Sequence, residues 1–566
     1  MTELNRKCGG FISEIVFNNS ESLNINENDI VIFVGPNNVG KSQALKDIHR
    51  LCSQKEKGTV ISAITINCTA SKQEMENFLS SISVVSKRES STKYQGFGYD
   101  FTTYAVMPSG VFENWGVLTD IFVSYLGTQE RLSICNPPQS KNRDAPASHP
   151  IHMVADSSEY REKISAYFMK AFGKILIPDI FFGASVPMRM CDALKTDYSD
   201  KDNDEYSHVE KIIKKLDKFP KIDEQGDGIR SFTGILLNMI IDYRKTFLID
   251  EPESFLHPPQ AKIIGHTIGE MLSNDQQAFI STHSPEILEG LLEVCPERVK
   301  IVRITREGNI NHFSVLNNDE FNNIWKDSLL RHSNIMSGIF HKNVVLCESD
   351  SDCRLYSVVY SRMKEERGEY PEALFVHCGG KQRMKRVVSA LRALSIPLWV
   401  IPDIDILDKT DTLRELVISA GGNWDILSQK VSSFQAFMRT ERSFINRKDF
   451  TDDVLRILNS SQDKNIGAKE IEEIKLMLKT ETKWSQLKKG GKSNIPSGEP
   501  FNTYEAIETE LKKLKIFIVP VGELEGFIKT VSGHGPDWVN NVLERHTNFS
   551  DSVYNELRNF ITSWNL

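Results

Sequence analysis

Apolar residues in this chain gather into short runs, and the most regular of these end on a glycine or an acid. Ile30–Val34 is apolar and β-branched and closes at Gly35, and Lys41–Leu51 then carries its apolar residues at helical spacing. Thr246–Ile249 runs into Asp250-Glu251, and Ala278–Ser281 into Thr282-His283. A second block begins at Asn343. Val344–Cys347 precedes a helix expected over 352–365, and Leu374–His377 precedes Gly379-Gly380-Lys381, which opens a helix to Leu394. Leu398–Ile401 ends at Pro402-Asp403-Ile404-Asp405, and a last strand, Ile516–Val521, leads into Gly522-Glu523-Leu524-Glu525. Strand alternating with helix predicts parallel sheets with right-handed crossovers, hence an α/β fold in both blocks.

Between these runs the pattern loosens. Residues 52 to about 220 mix a Ser/Thr-rich stretch (Ser80–Thr92), a Pro-containing loop (Pro137–Pro150) and an acidic segment from Asp197 to Glu205. They read as a long insertion, partly helical and suited to dimerisation. Residues 411–512 are charged and helical in pattern, a second insertion, and Asn317–Ile335 reads as a connector. The expected plan is a first domain over 1–325 and a second over 336–566.

Composition narrows the class. A length of 566 residues exceeds what one core normally covers, so two or more domains are expected. A formal net charge of −8 argues against a wholly basic nucleic-acid coat but leaves room for a local basic groove. The nine cysteines form no C-x-x-C, which fits reduced thiols and offers no zinc site. Without a long apolar run or a charged-then-apolar leader, the expectation is a cytoplasmic protein with no membrane partner.

The first chemistry lies at Gly35-Pro36-Asn37-Asn38-Val39-Gly40-Lys41-Ser42. Glycines let backbone N–H groups face phosphates, Lys41 reaches the terminal phosphates and Ser42 can ligate magnesium. Asp250 at a strand end would hold the metal through water, and Glu251 would polarise the attacking water. The plainer alternative makes Asp250 a helix cap. The second chemistry is Asp403 and Asp405, carboxylates at i and i+2, with Glu348 at the end of another strand. Together they can hold one or two divalent ions against a phosphate ester. A D-x-D on its own is more often a solvated turn.

Basic residues supply candidate nucleic-acid contacts. Lys475, Lys479, Lys483, Lys488, Lys489 and Lys492 cluster with Trp484 and a single acid, Glu481. Lysines neutralise phosphate, and an indole can stack on a base. Lys381, Arg383, Lys385 and Arg386 form a second group. Either could equally be a solvated helix face.

The first block resembles the ABC-type ATPases of the SMC and RecF group. The resemblance is carried by Leu248-Ile249-Asp250-Glu251-Pro252-Glu253, Leu256-His257-Pro258 and Ser281-Thr282-His283-Ser284. It implies that His283 senses the γ-phosphate. It further implies that Gly226 and Gly228, in Gln225-Gly226-Asp227-Gly228, belong to a signature loop completing a partner's ATP site, so a homodimer or higher homo-oligomer forms through the heads. The second block resembles a TOPRIM domain. Together they resemble the OLD (overcoming lysogenization defect) family of ATPase–nucleases, with Gabija-type and retron-linked antiphage effectors among its relatives. By motif, Glu348 and Asp352 match the family's acid-x-x-x-acid pair, Asp403 and Asp405 its D-x-D, and Glu525 its late acid. Ser349 departs from the usual glycine, and Glu523 stands where a small hydroxyl residue is common. The family's lysine downstream of the late acid has no counterpart beyond Lys529, which leaves His534, Arg545 and His546 as the basic groups there.

The expected function is therefore an ATP-binding and ATP-hydrolysing DNA endonuclease that uses Mg²⁺ or Mn²⁺ to nick or cut, employed in antiphage defence. The resemblance implies a restraining partner, either a helicase or a reverse transcriptase with its DNA–RNA product. The alternative is a non-catalytic ATPase acting as a DNA clamp or repair scaffold.

Overall fold

The computed structural model describes residues 8–566 except 55–56, 89–90, 104–109, 113–114, 143–144, 146, 193–204, 242, 317–333, 440–446, 460–464 and 479–482. The acidic segment from Asp197, most of the connector from Asn317, and Lys479 and Glu481 thus lie largely or wholly outside the described residues. The chain divides into two units, 1–326 and 327–566.

The first unit is organised by a six-stranded sheet. Its strands are Ile30–Val34 (β1), Val123–Leu126 (β2), Thr246–Asp250 (β3), Gln277–Ser281 (β4), Val299–Glu307 (β5) and Ile310–Val315 (β6). The order across the sheet is β6-β5-β1-β4-β3-β2, parallel throughout except for the β5-β6 hairpin. All five residues of β1 are buried, as expected of a strand covered on both faces. Phe33 pairs with Ser281, and Ser281 with Asp250. The loops after β1, β4 and β3 therefore leave from one edge of the sheet, where an open α/β sheet carries its ligands. Helices Lys41–Ser53 (α1), Asp227–Met239 (α2), Pro258–Met271 (α3) and Pro285–Val294 (α4) accompany these strands.

Residues 52–220 depart from their reading as an insertion. Ile61–Cys68 pairs with Phe11–Phe17 in a separate antiparallel sheet, and β2 forms the edge of the main sheet. Only the remainder adds structure outside these sheets, including a three-stranded antiparallel sheet over Val84–Thr103 and helices Pro150–Asp156 and Ser158–Phe172. The alternating burial of Ile61–Cys68 is a half-covered strand pattern. β2 spans four residues, too few for periodicity to separate it from a loop.

The second unit is built on three parallel strands, Asn343–Cys347 (β7), Ala373–His377 (β8) and Leu398–Ile401 (β9), in the order β8-β7-β9. Helices Asp350–Glu366 (α5) and Lys381–Ala393 (α6) follow β7 and β8. Ile516–Val521 runs beside β9, with hydrogen bonds from Phe517 N–H to the Val400 carbonyl and from Val519 N–H to the Pro402 carbonyl. It forms one parallel bridge at Ile516 rather than a regular strand. Residues 411–512 are helical where described, and include Trp424–Met438, Lys483–Gly490 (α7) and Glu499–Lys513. The core gathers Val345, Tyr356, Trp399, Trp538 and Trp564, and the Trp399 indole donates to the Trp564 carbonyl at 2.8 Å. All nine cysteines are free and buried. No helix among the described residues is long and apolar enough to cross a membrane.

Candidate functional site

The loop from β1 to α1 needs its glycines for backbone and for space. Gly35 and Gly40 take φ of 139° and 96°, and Asn38, at 62°, is a residue type that tolerates this region. A Cβ on Gly35 would sit 2.2 Å from the Ile304 carbonyl oxygen. Asn37 and Asn38 are exposed at the loop tip, Lys41 is buried, and Ser42 follows in the first turn of α1. The Lys41 ammonium donates to the carbonyls of Gly35 and Pro36 at 2.9 and 2.7 Å. Burial draws its pKa down to about 8, against the pull of Glu251, Glu253 and Asp250.

The acids end β3, separated from β1 by β4. The Asp250 carboxylate accepts from the Ser281 hydroxyl across the β3–β4 pair. Glu251 has a φ of 47°, and its carboxylate oxygen lies 3.5 Å from Nε2 of His283. Burial, then the nearby Lys41 charge, lowers the His283 pKa to about 4. The ring is therefore neutral at physiological pH and the contact is not an ion pair. Glu253 holds this turn by accepting from the Thr282 hydroxyl at 2.8 Å and the His283 N–H at 2.7 Å. Gly226 caps α2, and a Cβ on it would meet nothing, whereas a Cβ on Gly228 would lie 2.5 Å from the Phe255 carbonyl oxygen.

Sequence reasoning missed Arg131. It is fully buried and donates to the carbonyls of Leu126, Asp250 and Glu251 and to the Ser231 hydroxyl. One guanidinium thus joins β2, the end of β3 and α2. It sits in a short polar helix, Thr128–Ser133, whose sequence reads as surface.

In the second unit, Glu348, Asp403 and Asp405 converge, each offering an oxygen within 4.8 Å of the others. Burial raises the Glu348 pKa, and burial followed by the Glu348, Asp352, Asp405 and Glu523 charges pushes Asp403 well above the carboxylate range. Glu348 Oε2 and Asp405 Oδ1 are buried without a hydrogen-bond partner. Crowded carboxylates with orphaned oxygens fit a hard divalent cation. Asp352 and Glu525 stand beside this group. Asp352 closes a capping box with Ser349 at the start of α5, and burial raises its pKa to about 6. Glu525 accepts from the Gly535 N–H at 2.9 Å.

Two family models match this chain. One, described as an AAA domain, putative AbiEii toxin, Type IV TA system, covers residues 169–289. The other, the overcoming lysogenization defect protein-like TOPRIM domain, covers residues 339–405 and so spans the three converged acids. The chain pairs an AAA-type ATPase domain with an OLD-like TOPRIM domain.

Among curated proteins, the OLD nuclease of Thermus scotoductus is 28% identical over 199 residues, which is 32% of this chain and 36% of that protein. The Old nuclease of Escherichia phage P2 is 22% identical over 222 residues, 36% of each chain. The matches therefore span about a third of the length of these relatives. Solved SMC head structures from Thermotoga maritima (11% identity, TM-score 0.28) and Pyrococcus furiosus (11% identity, TM-score 0.33) are covered over 99% of their length, against 54% and 56% of this chain. Scores this low leave the fold to rest on the strand order itself.

Within the TOPRIM domain, the Gly379-Gly380-Lys381 turn serves Glu348. Gly379 and Gly380 take φ of 69° and 117°, and the Lys381 N–H donates to the Glu348 carboxylate at 3.3 Å. The residues expected to contact nucleic acid do not share one surface role. Lys381 Nζ pairs with Asp405 at 2.5 Å and Lys385 with Glu415 at 2.6 Å, whereas Arg383 is exposed. In α7, Lys483 donates to the Phe437 carbonyl, and Trp484 packs edge-on against Phe434 rather than standing free to stack. Lys489 is exposed. Lys488 turns to the acids, 2.5 Å from Glu523 and 3.7 Å from Asp405. Beyond the late acid, His546 bonds Thr530 at 2.9 Å.

Proposed function

We propose that this chain is an ATP-gated, divalent-metal-dependent DNA endonuclease. The observation that carries the reading is the convergence of Glu348, Asp403 and Asp405 with two buried, unpartnered carboxylate oxygens. These three acids would hold Mg²⁺ or Mn²⁺, with Asp352 and Glu525 alongside. Such an ion supplies Lewis-acid polarisation of a phosphodiester and a more acidic bound water. The surrounding residues orient the acids. The Gly380-Lys381 turn fixes the Glu348 carboxylate, and the Ser349–Asp352 box fixes the start of α5. Arg383, Lys483 and Lys489 would contact the DNA backbone, while Lys381 stays paired with Asp405.

The ATPase domain, about 1–325, would act as the gate. Backbone N–H groups of Asn37–Gly40 and the Lys41 ammonium would bind the phosphates, Ser42 and Asp250 would hold magnesium, and Glu251 would orient the attacking water. Neutral His283 can accept or donate a hydrogen bond at the γ-phosphate, so it can report its presence without an ion pair to break. Gly226 and Gly228 would meet the nucleotide of a second copy, making a homodimer. ATP need not drive cleavage. Binding would bias head conformation, a population shift. The same reading covers a role in antiphage defence with a restraining partner, a helicase or a reverse transcriptase with its DNA–RNA product, in the cytoplasm. A clamp without catalysis leaves the converged acids unexplained.

The test is to incubate full-length protein with supercoiled plasmid and Mg²⁺ or Mn²⁺, with and without ATP, beside Lys41→Ala and Asp403→Ala. Cleavage by the wild type and none by Asp403→Ala is expected. Identical behaviour of the two would overturn the nuclease reading.

A further inference from the structure

Helix α7 belongs to the charged helical segment that interrupts the TOPRIM domain, yet it is docked on both acid-bearing stretches. It packs against the turn Ile404–Asp408 that holds Asp405. Its C-terminal end and the turn Gly491–Asn494 that follows lie against Pro520–Gly522, immediately before Glu523, where the Lys492 N–H donates to the Pro520 carbonyl at 2.8 Å. Two glycines make this approach possible. A Cβ on Gly522 would sit 2.0 Å from the Lys488 carbonyl oxygen, and one on Gly491 would sit 2.1 Å from the Pro520 carbonyl oxygen. Leu487 is fully buried and anchors the helix. The outcome is that Lys488 Nζ lies 2.5 Å from Glu523 and 3.7 Å from Asp405.

We infer that Lys488 is a catalytic residue of the nuclease site, a permanent cation delivered by the inserted helix to bind the scissile phosphate and stabilise the charge that develops during cleavage. The inference rests on the nuclease reading above. The ion pair of Lys488 is not what holds the helix in place. The Lys488–Glu523 pair is well exposed, at 42% and 37%, and such pairs contribute about 0–1 kcal/mol. Leu487 and the backbone contact to Pro520 dock the helix, so the lysine at its end is free of a structural task. Exposure also separates the two lysines at the acids. Lys381 and Asp405 are exposed by only 18% and 20%, so Lys381 is held as a fixed counter-charge. Lys488 is the one with access to solvent, and its flexible stem can move from Glu523 to a phosphate oxygen. A dianionic transition state entering a nest of carboxylates needs such a donor. In the hydrolysis, the water oxygen bonds to phosphorus and the P–O ester bond breaks, and one water proton ends on the released hydroxyl. Lys488 stays protonated throughout and donates to a non-bridging oxygen.

The experiment uses the full chain, supercoiled plasmid, ATP and Mn²⁺. Single-turnover cleavage at saturating protein is compared among wild type, Asp403→Ala, Lys488→Ala, Lys488→Arg and Gly522→Ala. Plasmid affinity without metal and Mn²⁺ affinity by calorimetry are measured on each. Lys488→Ala is expected to lose about 10²–10³-fold in rate while plasmid and Mn²⁺ affinities change little. Lys488→Arg should recover part of the rate. Gly522→Ala, which keeps the charge but displaces the helix, should lose rate as well. Wild-type rate in Lys488→Ala, a loss confined to plasmid affinity, or a Lys488→Arg variant as inactive as alanine at unchanged melting temperature would each overturn the assignment. If Asp403→Ala is inactive and Lys488→Ala is not, only the lysine assignment falls. If Asp403→Ala cuts like the wild type, or the wild type does not cut, the nuclease reading falls and takes the assignment with it.

Discussion

Oε1 of Glu251 lies 3.5 Å from Nε2 of His283, and the histidine of that pair carries no charge. Its pKa is lowered from 6.5 to about 4, first by burial and then by Lys41. The unfolded chain therefore takes up the proton before the folded one does. The contribution to stability is present above about pH 6.5 and is lost as pH falls towards 4. Because the ring is about a third exposed, solvent reduces the size of the effect, and its direction is what matters. The His283 ring should show no titration by NMR between pH 8 and about 5. A ring that titrates near its ordinary value in the folded protein would contradict this environment.

Glu251→Gln keeps the shape of the site and removes the group that would orient water. ATP hydrolysis should fall by about 10²–10⁴-fold with nucleotide binding retained, whereas Lys41→Ala should lose binding itself. Filter binding and phosphate release separate the two, and a Glu251→Gln enzyme that still hydrolyses ATP would remove Glu251 from its role.

Arg131→Met should damage the ATPase without touching nucleotide. The change leaves the carbonyls of Leu126, Asp250 and Glu251 without their shared donor. Unpaired buried carbonyls cost about 1–3 kcal/mol each, so urea melts should show a clear loss together with reduced hydrolysis. Unchanged stability would mean that water or a neighbour replaces the guanidinium.

Asp405→Asn removes a charge that Lys381 and Lys488 both face. Mn²⁺ affinity measured by calorimetry should weaken at least about 10-fold, and cleavage should fall with it. Chelation with EDTA should stop cutting by the wild type, and added Mn²⁺ should restore it. Cleavage that survives chelation would rule out the metal assignment.

Much of this architecture was legible because its signals are local. A buried β-branched run closing at Gly35 announces its own loop, and Leu398–Ile401 announces Asp403 and Asp405 in the same way. Strand order then brings Glu348 to those acids, since Cys347 pairs with Ile401. What stayed hidden is long-range. Arg131 acts through carbonyls more than a hundred residues away in sequence, and nothing around it marks it as buried. Lys488 reads as one of a run of lysines on an open helix. The close contacts of Gly491 and Gly522 and the burial of Leu487 reveal where that helix rests. β2 is too short to carry a periodic signal, and that is why its segment read as insertion.

Phe33, Ser281 and Asp250 stand in one row across three adjacent strands. Side chains alternate faces along a strand, so adding or deleting one residue inside any of these strands would turn its remaining side chains to the opposite face. The geometry of the proposed nucleotide site is therefore stored in the phase of the hydrogen-bond ladder. Lengthening a connection leaves that phase untouched, provided the chain rejoins the sheet in step. Such a molecule can acquire long new segments between strands while tolerating almost no change of length within them.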